Sequence, residues 1–403
     1  MSEAVHSLHK NRSFYWLMGG NLASFAGAQI YLIALPLVVL SLTGSAVAMG
    51  TIAAVGQATV WFMPVIGPFI DRYHRRTLLL LSDFIRALIL LLLSMLYMID
   101  MLHFITLIMA SIVIGLCTQI YNTAQFAVIP SIVKKEDLPL ANTVESSLYH
   151  TTILIGPTLG GLLIAFVHPG IGLIANSIGF FLAFLTLFFI RVPPPTKQPS
   201  TRGFFQDVRE GFHFIYTEKL LLLTNIGSAF ISFGVTFSLT LLVFHLQSTV
   251  GLTPLEIGWI LSFGGAAAIA GSFLSISLRR IASQRTILFL GYFGGGASLI
   301  WLGFADSFVP LLIANAIGTF CAASFNPVVK TIRQKLTPSH MLGRVQASSR
   351  FITMALLPLA AFIAGVLGDA LDTHRTIAIG GLIATCSILI FFHRDMVTLR
   401  ADL

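Results

Sequence analysis

A short charged stretch, Gly67-Pro68-Phe69-Ile70-Asp71-Arg72-Tyr73-His74-Arg75-Arg76, interrupts a run of apolar residues that extends from about Ala46 to about Ile99. Its carboxylate and its three guanidinium groups are suited to electrostatic chemistry. A carboxylate is stabilised at a helix N-terminus, and guanidinium groups bind carboxylates and phosphates through charge-assisted hydrogen bonds. With long apolar flanks on both sides, the pattern predicts a tight charged turn at a membrane surface.

A few ionisable residues lie inside the apolar segments. Charges are costly there, so these residues are functional candidates. These residues are Asp83, Arg86, Glu145, His150, His245 and Arg350. Asp83 and Arg86 have the i, i+3 spacing of a helical ion pair. Glu145, His150 and Asp83 are candidates for loading and releasing a proton. The alternative for Glu145 is a structural partner of Arg350 or of a backbone group.

The composition identifies the elements that must position these groups. Of 403 residues, 56% are hydrophobic and only 10% are charged, and the mean hydropathy is +0.89. Soluble domains carry about 25% charged residues, so this class is excluded. A membrane-spanning helix needs about 20 apolar residues, and about twelve such stretches can be marked. The sequence therefore predicts an all-α membrane protein with 12 transmembrane helices in two pseudo-symmetric six-helix bundles.

The predicted spans cover residues 13–40, 46–70, 77–99, 104–133, 138–167, 172–190, 219–247, 255–278, 285–305, 308–333, 342–368 and 375–392. An N-terminal bundle is predicted over residues 1–191 and a C-terminal bundle over 219–403. Pro193-Pro194-Pro195 ends the sixth span, because proline removes a backbone donor and fixes φ. The polar linker 192–218 places Phe205, Val208 and Phe212 at helical spacing, which predicts an amphipathic helix on the inner membrane surface.

The distribution of basic residues predicts the orientation. Every Lys and Arg except Arg86 and Arg375 falls on one set of alternate loops or at the helix ends that border them. Cytoplasmic loops collect such residues, so the N- and C-termini are predicted to be cytoplasmic, in a multi-pass protein of the inner (plasma) membrane. This asymmetry accounts for the net charge of +8 without a nucleic-acid partner.

The two halves are predicted to be parallel repeats, since six crossings return the chain to the same side. Residues match at one offset of 204 positions: Asn21 with Asn225, Ser24 with Ser228, Arg75 and Arg76 with Arg279 and Arg280, and Asn122 with Asn326. Polar and arginine matches at a single offset are harder to attribute to a biased composition than apolar ones. They favour an internal duplication.

The spacing G-x-x-x-D-R-x-x-R-R of Gly67–Arg76, the twelve spans, the repeat and the central linker together resemble the Major Facilitator Superfamily. Three further segments resemble its drug-exporter branch, which includes macrolide-efflux and siderophore-export proteins. They are Ser82-Asp83-Phe84-Ile85-Arg86-Ala87, Gly156-Pro157-Thr158-Leu159-Gly160-Gly161, and the linker segment 207–211. The loop differs from the family pattern at His74, where glycine is common, and in the second half Ser275 stands where Asp71 would be repeated.

The resemblance implies a cytoplasmic gate. In the family, the acid of this loop holds the closed side against the N-terminal end of the eleventh span. Transferred to this chain, the gate residues are Gly67, Asp71, Arg72, Arg75, Arg76, Asp83, Arg86, Arg344 and Arg350. The alternative for the arginines is that they are ordinary positive-inside residues.

The resemblance also implies an exporter motif made of Gly156, Pro157, Gly160 and Gly161 in the fifth span. Small residues let two helices approach closely, and proline frees a carbonyl and bends the helix. Both properties suit a helix that rocks against the opposite half. The alternative is a packing patch that has no bearing on the direction of transport.

Polar residues form stripes on the first, fourth, seventh and tenth spans, which line the central cavity in the family. The candidate cavity residues are Asn21, Ser24, Tyr31, Gln119, Asn122, Asn225, Ser228, Ser232, Asn315, Thr319 and Asn326. Polar groups at membrane depth should face protein or a water-filled cavity. The alternative for any one of them is a hydrogen bond between helices, worth about 0.6 kcal/mol.

These features predict a secondary exporter of hydrophobic or amphipathic small molecules, drug-like or macrolide-like, that works by proton antiport and alternating access. Alternatives are export of a siderophore or a lysolipid-like metabolite, or facilitated diffusion; a membrane sensor or scaffold would not need the polar stripes. The expected partners are the substrate, protons and membrane lipids, and the chain is expected to act as a monomer.

The sequence contains no G-x-x-x-x-G-K-[ST], H-E-x-x-H or G-x-S-x-G motif, and Cys117, Cys321 and Cys386 do not have the spacing of a metal site. No enzymatic activity, cofactor or metal is therefore expected.

Overall fold

The computed structural model describes residues 11–63, 66, 70, 73–134, 137–166, 168–192, 204–338 and 341–397. Within these ranges every regular element is helical. The helices are α1 Arg12–Thr43, α2 Ala46–Ala58, α3 Arg75–Met98, α4 Phe104–Ile132, α5 Leu138–Phe166, α6 Pro169–Leu187, α7 Phe204–Thr217, α8 Lys219–Thr240, α9 Pro254–Ile281, α10 Gln284–Phe304, α11 Phe308–Leu336, α12 Leu342–Met354, α13 Leu357–Leu371, α14 Thr373–Thr385 and α15 Arg394–Val397. Helix α2 continues as the 3₁₀ turn Thr59–Phe62 and α14 as the 3₁₀ segment Cys386–Phe392.

Eleven helical segments of the described chain are long and apolar enough to cross a membrane. Helix α2, with its 3₁₀ extension to Phe62, is apolar but shorter. The polytopic all-α class is therefore confirmed, and the count of twelve crossing helices stays a prediction. Helix α7 lies within the predicted linker 192–218, and its position on the inner membrane surface stays a prediction.

Two predicted spans are less regular than expected. The eleventh, predicted as continuous, is divided into α12 and α13 at Ala355 and Leu356. Pro358 stands in the first turn of α13. It has no N–H to donate to the carbonyl of Met354, four residues earlier, and its ring clashes with that carbonyl, so α12 ends at Met354. The seventh span changes after α8 into the short helical turn Leu242–Phe244 and the π-helical segment His245–Thr249.

The described chain forms two compact units that differ from simple sequence halves. The first contains residues 11–44, the described part of 55–192, and 253–262. The second contains residues 45–54, the described part of 204–252, and the described part of 263–397. The start of α2 therefore packs with the second unit, and the start of α9 with the first.

In the first unit, α1 packs along α6, and the core joins α1, α3, α4 and α6 through Phe14, Leu79 and Tyr121. Arg76 at the start of α3 donates from Nε to the Leu187 carbonyl (2.9 Å) and from Nη2 to the Phe188 carbonyl (2.7 Å). The last carbonyls of a helix lack partners within the helix. Arg76 therefore caps the C-terminal end of α6.

In the second unit, the core joins α8, α10, α11 and α14 around the fully buried Tyr292. Arg285 donates from Nη2 to the Phe391 carbonyl at 3.0 Å, which repeats in this unit the capping device of Arg76. The linker helix α7 packs here as well. Its Ile215 is buried against Leu221 and Val345, and its Phe212 meets Phe351 edge-to-face.

A carboxylate joins α13 to the N-terminal end of α2 within the second unit. Asp369 accepts hydrogen bonds from Ser45 Oγ (2.8 Å), Ala46 N (2.7 Å) and Val47 N (3.3 Å). The two helices approach closely at Gly50 and Gly365. A Cβ added to Gly50 would lie 2.6 Å from the Ala361 carbonyl oxygen, so glycine is required at this crossing.

We expect Asp369→Ala to lower the free energy of unfolding by about 0.5–2 kcal/mol, the usual cost of losing an N-terminal cap. Asp369→Asn should lose less, because its amide oxygen still accepts the backbone N–H bonds. Thermal unfolding of the detergent-purified protein measures both variants. An unchanged melting temperature for Asp369→Ala would mean that the contact does not contribute to stability.

Candidate functional site

Part of the predicted gate lies outside the described residues. Gly67, Asp71 and Arg72 are not described, nor are the side chains of Arg344 and His150. Arg75 and Arg76 are half-buried at the start of α3, and Arg350 is exposed on α12. Because Arg76 donates to two carbonyls of α6, its established contacts anchor a helix end. Its gating role stays a prediction.

The predicted ion pair of Asp83 and Arg86 is confirmed. Both side chains are buried on α3, and Arg86 Nη2 donates to Asp83 Oδ1 at 2.5 Å. The guanidinium lies between two aromatic rings, 4.6 Å from the centroid of Tyr121 and 4.0 Å from that of Phe180. Ring faces attract a cation, and more strongly when it is desolvated. The second carboxylate oxygen of Asp83 is buried without a hydrogen-bond partner.

Glu145, the leading candidate for proton coupling, is half-buried on α5. Gln125 on α4 donates from Nε2 to Glu145 Oε1 at 2.5 Å. An amide donor orients this carboxyl group and stays neutral when the carboxyl group gains or loses a proton. The geometry therefore allows a change of charge at Glu145 without breaking an ion pair, and it places Gln125 in the candidate site.

The predicted exporter motif lies at a close helix contact within the first unit. A Cβ on Gly161 would lie 2.3 Å from the Pro254 carbonyl oxygen, and one on Gly258 would lie 2.5 Å from the Pro157 carbonyl oxygen. Thr158 N, which follows the proline, donates to Ser262 Oγ at 2.9 Å. Gly156 and Gly160 are also buried, and an added Cβ at either would meet α1. The motif is a packing surface of α5 towards α9 and α1.

The polar stripe of the first unit is divided between buried and accessible positions. Asn21 is buried and its Oδ1 accepts a hydrogen bond from the Tyr121 hydroxyl at 2.9 Å. Ser24 is buried, Tyr31 and Gln119 are half-buried, and Asn122 is exposed. The Asn21 contact is an interhelical hydrogen bond of the kind that the sequence left open.

In the second unit, five predicted cavity residues lie together. A cavity of about 200 Å³ opens between α8, α10 and α11. It is lined by Ser228, Ile231, Ser232, Val235, Leu239, Gly295, Ser298, Leu299, Leu302, Ala314, Asn315, Gly318, Thr319, Ala322, Phe325 and Asn326. Hydroxyl and amide groups alternate with aliphatic side chains, and no Asp, Glu, Lys or Arg is among these residues. Such a surface suits an uncharged, amphipathic ligand group.

Asn225, by contrast, lies within the packed bundle. It is buried, donates to the Leu221 carbonyl at 2.8 Å, and its Oδ1 lies 3.4 Å from Arg333 Nη2. Arg333 also donates to Gln346 Oε1 at 2.8 Å. Arg333 stands in the last turn of α11. A basic residue at that position is expected from the positive-inside rule alone, so this contact could not be predicted from the sequence.

Sequence reasoning missed several other residues. Gln125 lies one turn beyond Asn122 on α4, and continuing that stripe by three residues would have found it. Tyr121, Phe180 and Ser298 carry no polar periodicity in the sequence. Their roles, as ring partners of Arg86 and as a cavity wall, depend on contacts between different helices.

The fold and these buried polar sites define a polytopic α-helical membrane protein with a neutral internal cavity. Comparison with known families agrees: the profile of the Major Facilitator Superfamily matches residues 17–355 and, in a second match, residues 224–401. The chain belongs to this superfamily and is therefore a membrane transporter.

Its relatives include drug exporters. The multidrug efflux pump Tap of Mycolicibacterium fortuitum is 25% identical over 366 residues, covering 88% of this chain and 89% of the relative. Macrolide efflux protein A of Streptococcus pyogenes is 20% identical over 387 residues, covering 94% of both. The predicted resemblance to the drug-exporter branch is thus confirmed.

A solved structure supports the fold. A bacterial homologue of the iron transporter ferroportin, captured in an inward-facing state, superposes with a TM-score of 0.77 over 97% of this chain and 99% of its own, at 17% identity. At this identity the likeness concerns the fold alone.

We expect Arg86→Leu and Asp83→Leu each to destabilise the protein more than the double variant does. Removing one partner of a buried pair leaves an uncompensated charge, which costs about 3–5 kcal/mol. Thermal unfolding of the two single variants and the double variant measures the coupling. Additive losses would show that the two groups act independently. Arg86→Lys keeps the charge but removes the planar guanidinium, so it tests separately the stacking against Tyr121 and Phe180.

Filling the cavity should impair transport without unfolding the protein. Ser232→Phe places a ring among the cavity residues of α8, so we expect the transport rate to fall several-fold. Ser232→Ala, which removes only the hydroxyl, is the matched control and should retain most activity. Equal activity of Ser232→Phe and wild type, at equal expression, would exclude this cavity from the transport route.

Proposed function

We propose that this protein is a proton-coupled secondary exporter of hydrophobic or amphipathic small molecules, drug-like or macrolide-like, and that it works by alternating access. The observation that carries the proposal is the uncharged cavity of the second unit, where Ser228, Ser232, Asn315 and Thr319 face aliphatic side chains. A sugar or an anion would need more hydrogen bonds or a basic group. The names of Tap and macrolide efflux protein A support the same class of substrate.

The energy source is assigned to protons. No nucleotide-binding motif stands in the sequence, so a gradient must drive uphill export. Glu145 is the coupling residue of choice, because its carboxyl group is half-buried and is bonded by the neutral Gln125. Asp83 is less suited, because its charge already balances Arg86 in a buried pair.

The membrane location, the orientation and the oligomeric state of the transporter are part of the same proposal. We place it in the plasma membrane with both termini cytoplasmic, on the strength of its basic-residue asymmetry. In the proposed mechanism the bundles 1–191 and 219–403 rock against each other, and the 192–218 linker joins them. The chain acts as a monomer. A siderophore or a lysolipid-like molecule is the alternative substrate, and facilitated diffusion is the alternative mode.

We expect proteoliposomes with an imposed pH gradient to export a macrolide and a fluorescent lipophilic cation, and we expect Glu145→Gln to lose gradient-driven transport while it keeps substrate binding. Gln at this position preserves the shape of the side chain but carries no titratable proton. Transport by the reconstituted protein and substrate binding by the detergent-purified protein are measured side by side.

Two variants control this experiment. Gln125→Met removes the amide donor but leaves a titratable Glu145, and it should retain a response to the gradient. Glu256→Gln changes a carboxylate that is held by Thr253 at the start of α9, far along the chain from the coupling site. If the wild type ignores the gradient, the protein is a facilitator or uses another ion. If Glu145→Gln responds normally, another residue carries the proton.

A further inference from the structure

A second group of titratable side chains lies in the second unit, away from Glu145 and apart from the residues predicted for the gate, for proton coupling and for the cavity. His245 begins the π-helical segment that follows α8, and its side chain is fully buried, at 0% exposure. Its Nδ1 lies 2.8 Å from the Thr373 hydroxyl, and its Nε2 is buried with no hydrogen-bond partner. A buried polar atom without a partner is costly, and π-helical segments occur frequently at functional sites.

A chain of hydroxyl groups connects this imidazole to the surface. The Thr373 hydroxyl lies 2.9 Å from the Thr249 hydroxyl, and Thr249 is exposed. Thr373 follows Asp372, whose φ of 93° is an unusual backbone conformation for a residue other than glycine. The hydroxyl of Thr249, which is an exposed residue, the hydroxyl of the buried Thr373 and the buried imidazole thus form one continuous hydrogen-bonded path.

Charged and titratable neighbours of this path lie on α14, in the α10–α11 turn and in the sequence just before Thr373. From α14, the His374 ring meets the His245 ring edge-to-face with centroids 4.5 Å apart. From the α10–α11 turn, Asp306 lies 3.6 Å from His374. Asp372 pairs with Arg375 at 3.5 Å, and Asp369, at the end of α13, is engaged by the start of α2. His374 Nδ1 is bonded to the Gly303 carbonyl at 2.9 Å.

We propose that His245 is a proton-binding site of this transporter and that it is loaded from solvent through Thr249 and Thr373. A solvent proton adds to the Thr249 oxygen as the Thr249 proton passes to Thr373 and the Thr373 proton passes to His245 Nδ1. Each hydroxyl keeps one proton, and the imidazole gains one. With the termini cytoplasmic, this end of α8 faces outwards, which is the side from which an exporter draws its protons.

The geometry suits a single proton better than a metal ion. Among the described residues no group of three or more His, Cys, Asp or Glu side chains is arranged to hold a metal. Two imidazoles with ring centres 4.5 Å apart repel each other when both are charged. Loading His245 therefore disfavours a second proton on His374, and the pair holds one.

The position of His245 allows a change of its charge to affect the cavity through the helix. Leu239, near the end of α8, lines the cavity, and His245 follows it on the same continuous helical segment. To accept the proton at Nδ1, the neutral imidazole must carry its hydrogen on Nε2, for which the structure offers no acceptor. In the loaded imidazolium this unpaired N–H belongs to a charged ring and is more costly. Repacking of the π-helical segment against α14 would relieve this and displace the end of α8.

The proposal rests on proton-coupled export, but its first test does not. His374→Gln and the double variant His245→Gln/His374→Gln are purified in detergent and titrated in weak buffer from about pH 3.5 to 8, a range wide enough for a buried imidazole to gain its proton. The His374→Gln background is used because the pair holds one proton, which His374 would take up when His245 is removed. Gln at position 245 keeps a hydrogen bond to Thr373 but does not titrate, so the double variant should bind about one proton fewer than His374→Gln. Ser248→Ala in the same background is the matched control, since Ser248 lies on the same π-helical segment and carries no titratable group. Equal proton binding by His374→Gln and the double variant would overturn the proposal.

The second test addresses the path. Proteoliposomes report export while the pH of each compartment is varied separately. His245→Gln should flatten the dependence on the outer pH. Thr373→Val should slow proton loading roughly tenfold or more, whereas Thr373→Ser should behave as wild type. Equal rates for the Val and Ser variants would exclude the hydroxyl path. Wild type that exports without any response to pH would overturn proton antiport, while the titration would still decide whether His245 binds a proton.

Discussion

The constraint on which this structure depends is that a polar group inside an apolar helix bundle must find its partner within the protein. Lipid offers no hydrogen bonds, so each unpaired group is costly. The strongest case is Arg86, whose charge is balanced by Asp83 and whose flat faces are covered by Tyr121 and Phe180. One guanidinium thereby fixes the relative placement of α3, α4 and α6.

The same constraint explains why the two units use similar devices in different forms. Arg76 and Arg285 each complete the carbonyls at the end of a distant helix. Asn21 and Asn225, which match at the repeat offset, have different partners, the Tyr121 hydroxyl and Arg333. The two anchors do not match at the predicted repeat offset, at which Arg76 corresponds to Arg280, and the matched asparagines have different partners. The two units therefore meet the same constraint with different residues.

The fold was largely predictable because its signal is local. Long apolar runs, the triple proline and the amphipathic linker predicted the helices, most of them to within three residues at each end. The break between α12 and α13 was missed, although Pro358 carried a signal for it. The π-helical segment at His245 had no local signal, since it depends on packing against α14.

The candidate sites were predictable only where both partners lie on one helix. Asp83 and Arg86 are three residues apart, so spacing alone predicted their pairing. Gln125 and Glu145 lie on different helices, and the sequence did not join them. The cavity residues Ser228, Ser232, Asn315, Thr319 and Asn326 were chosen from polar stripes, and the structure brings them together. Asn225, chosen on the same grounds, faces the packed bundle. A polar stripe shows which residues share a side of the helix, but it does not show whether each of them faces the cavity or a neighbouring helix.

The contact of Asp369 with the start of α2 has a consequence for how such proteins diverge. Two of its three donors are the backbone N–H groups of Ala46 and Val47, which any residue except proline supplies. A substitution at Val47 therefore leaves the bonds intact, and a change at Ala46, which is fully buried, is limited by packing and not by the bond. Neither change needs a compensating one at position 369, so among homologues the acid would persist while these residues change independently of it. Methods that infer contacts from correlated substitutions would not detect this junction.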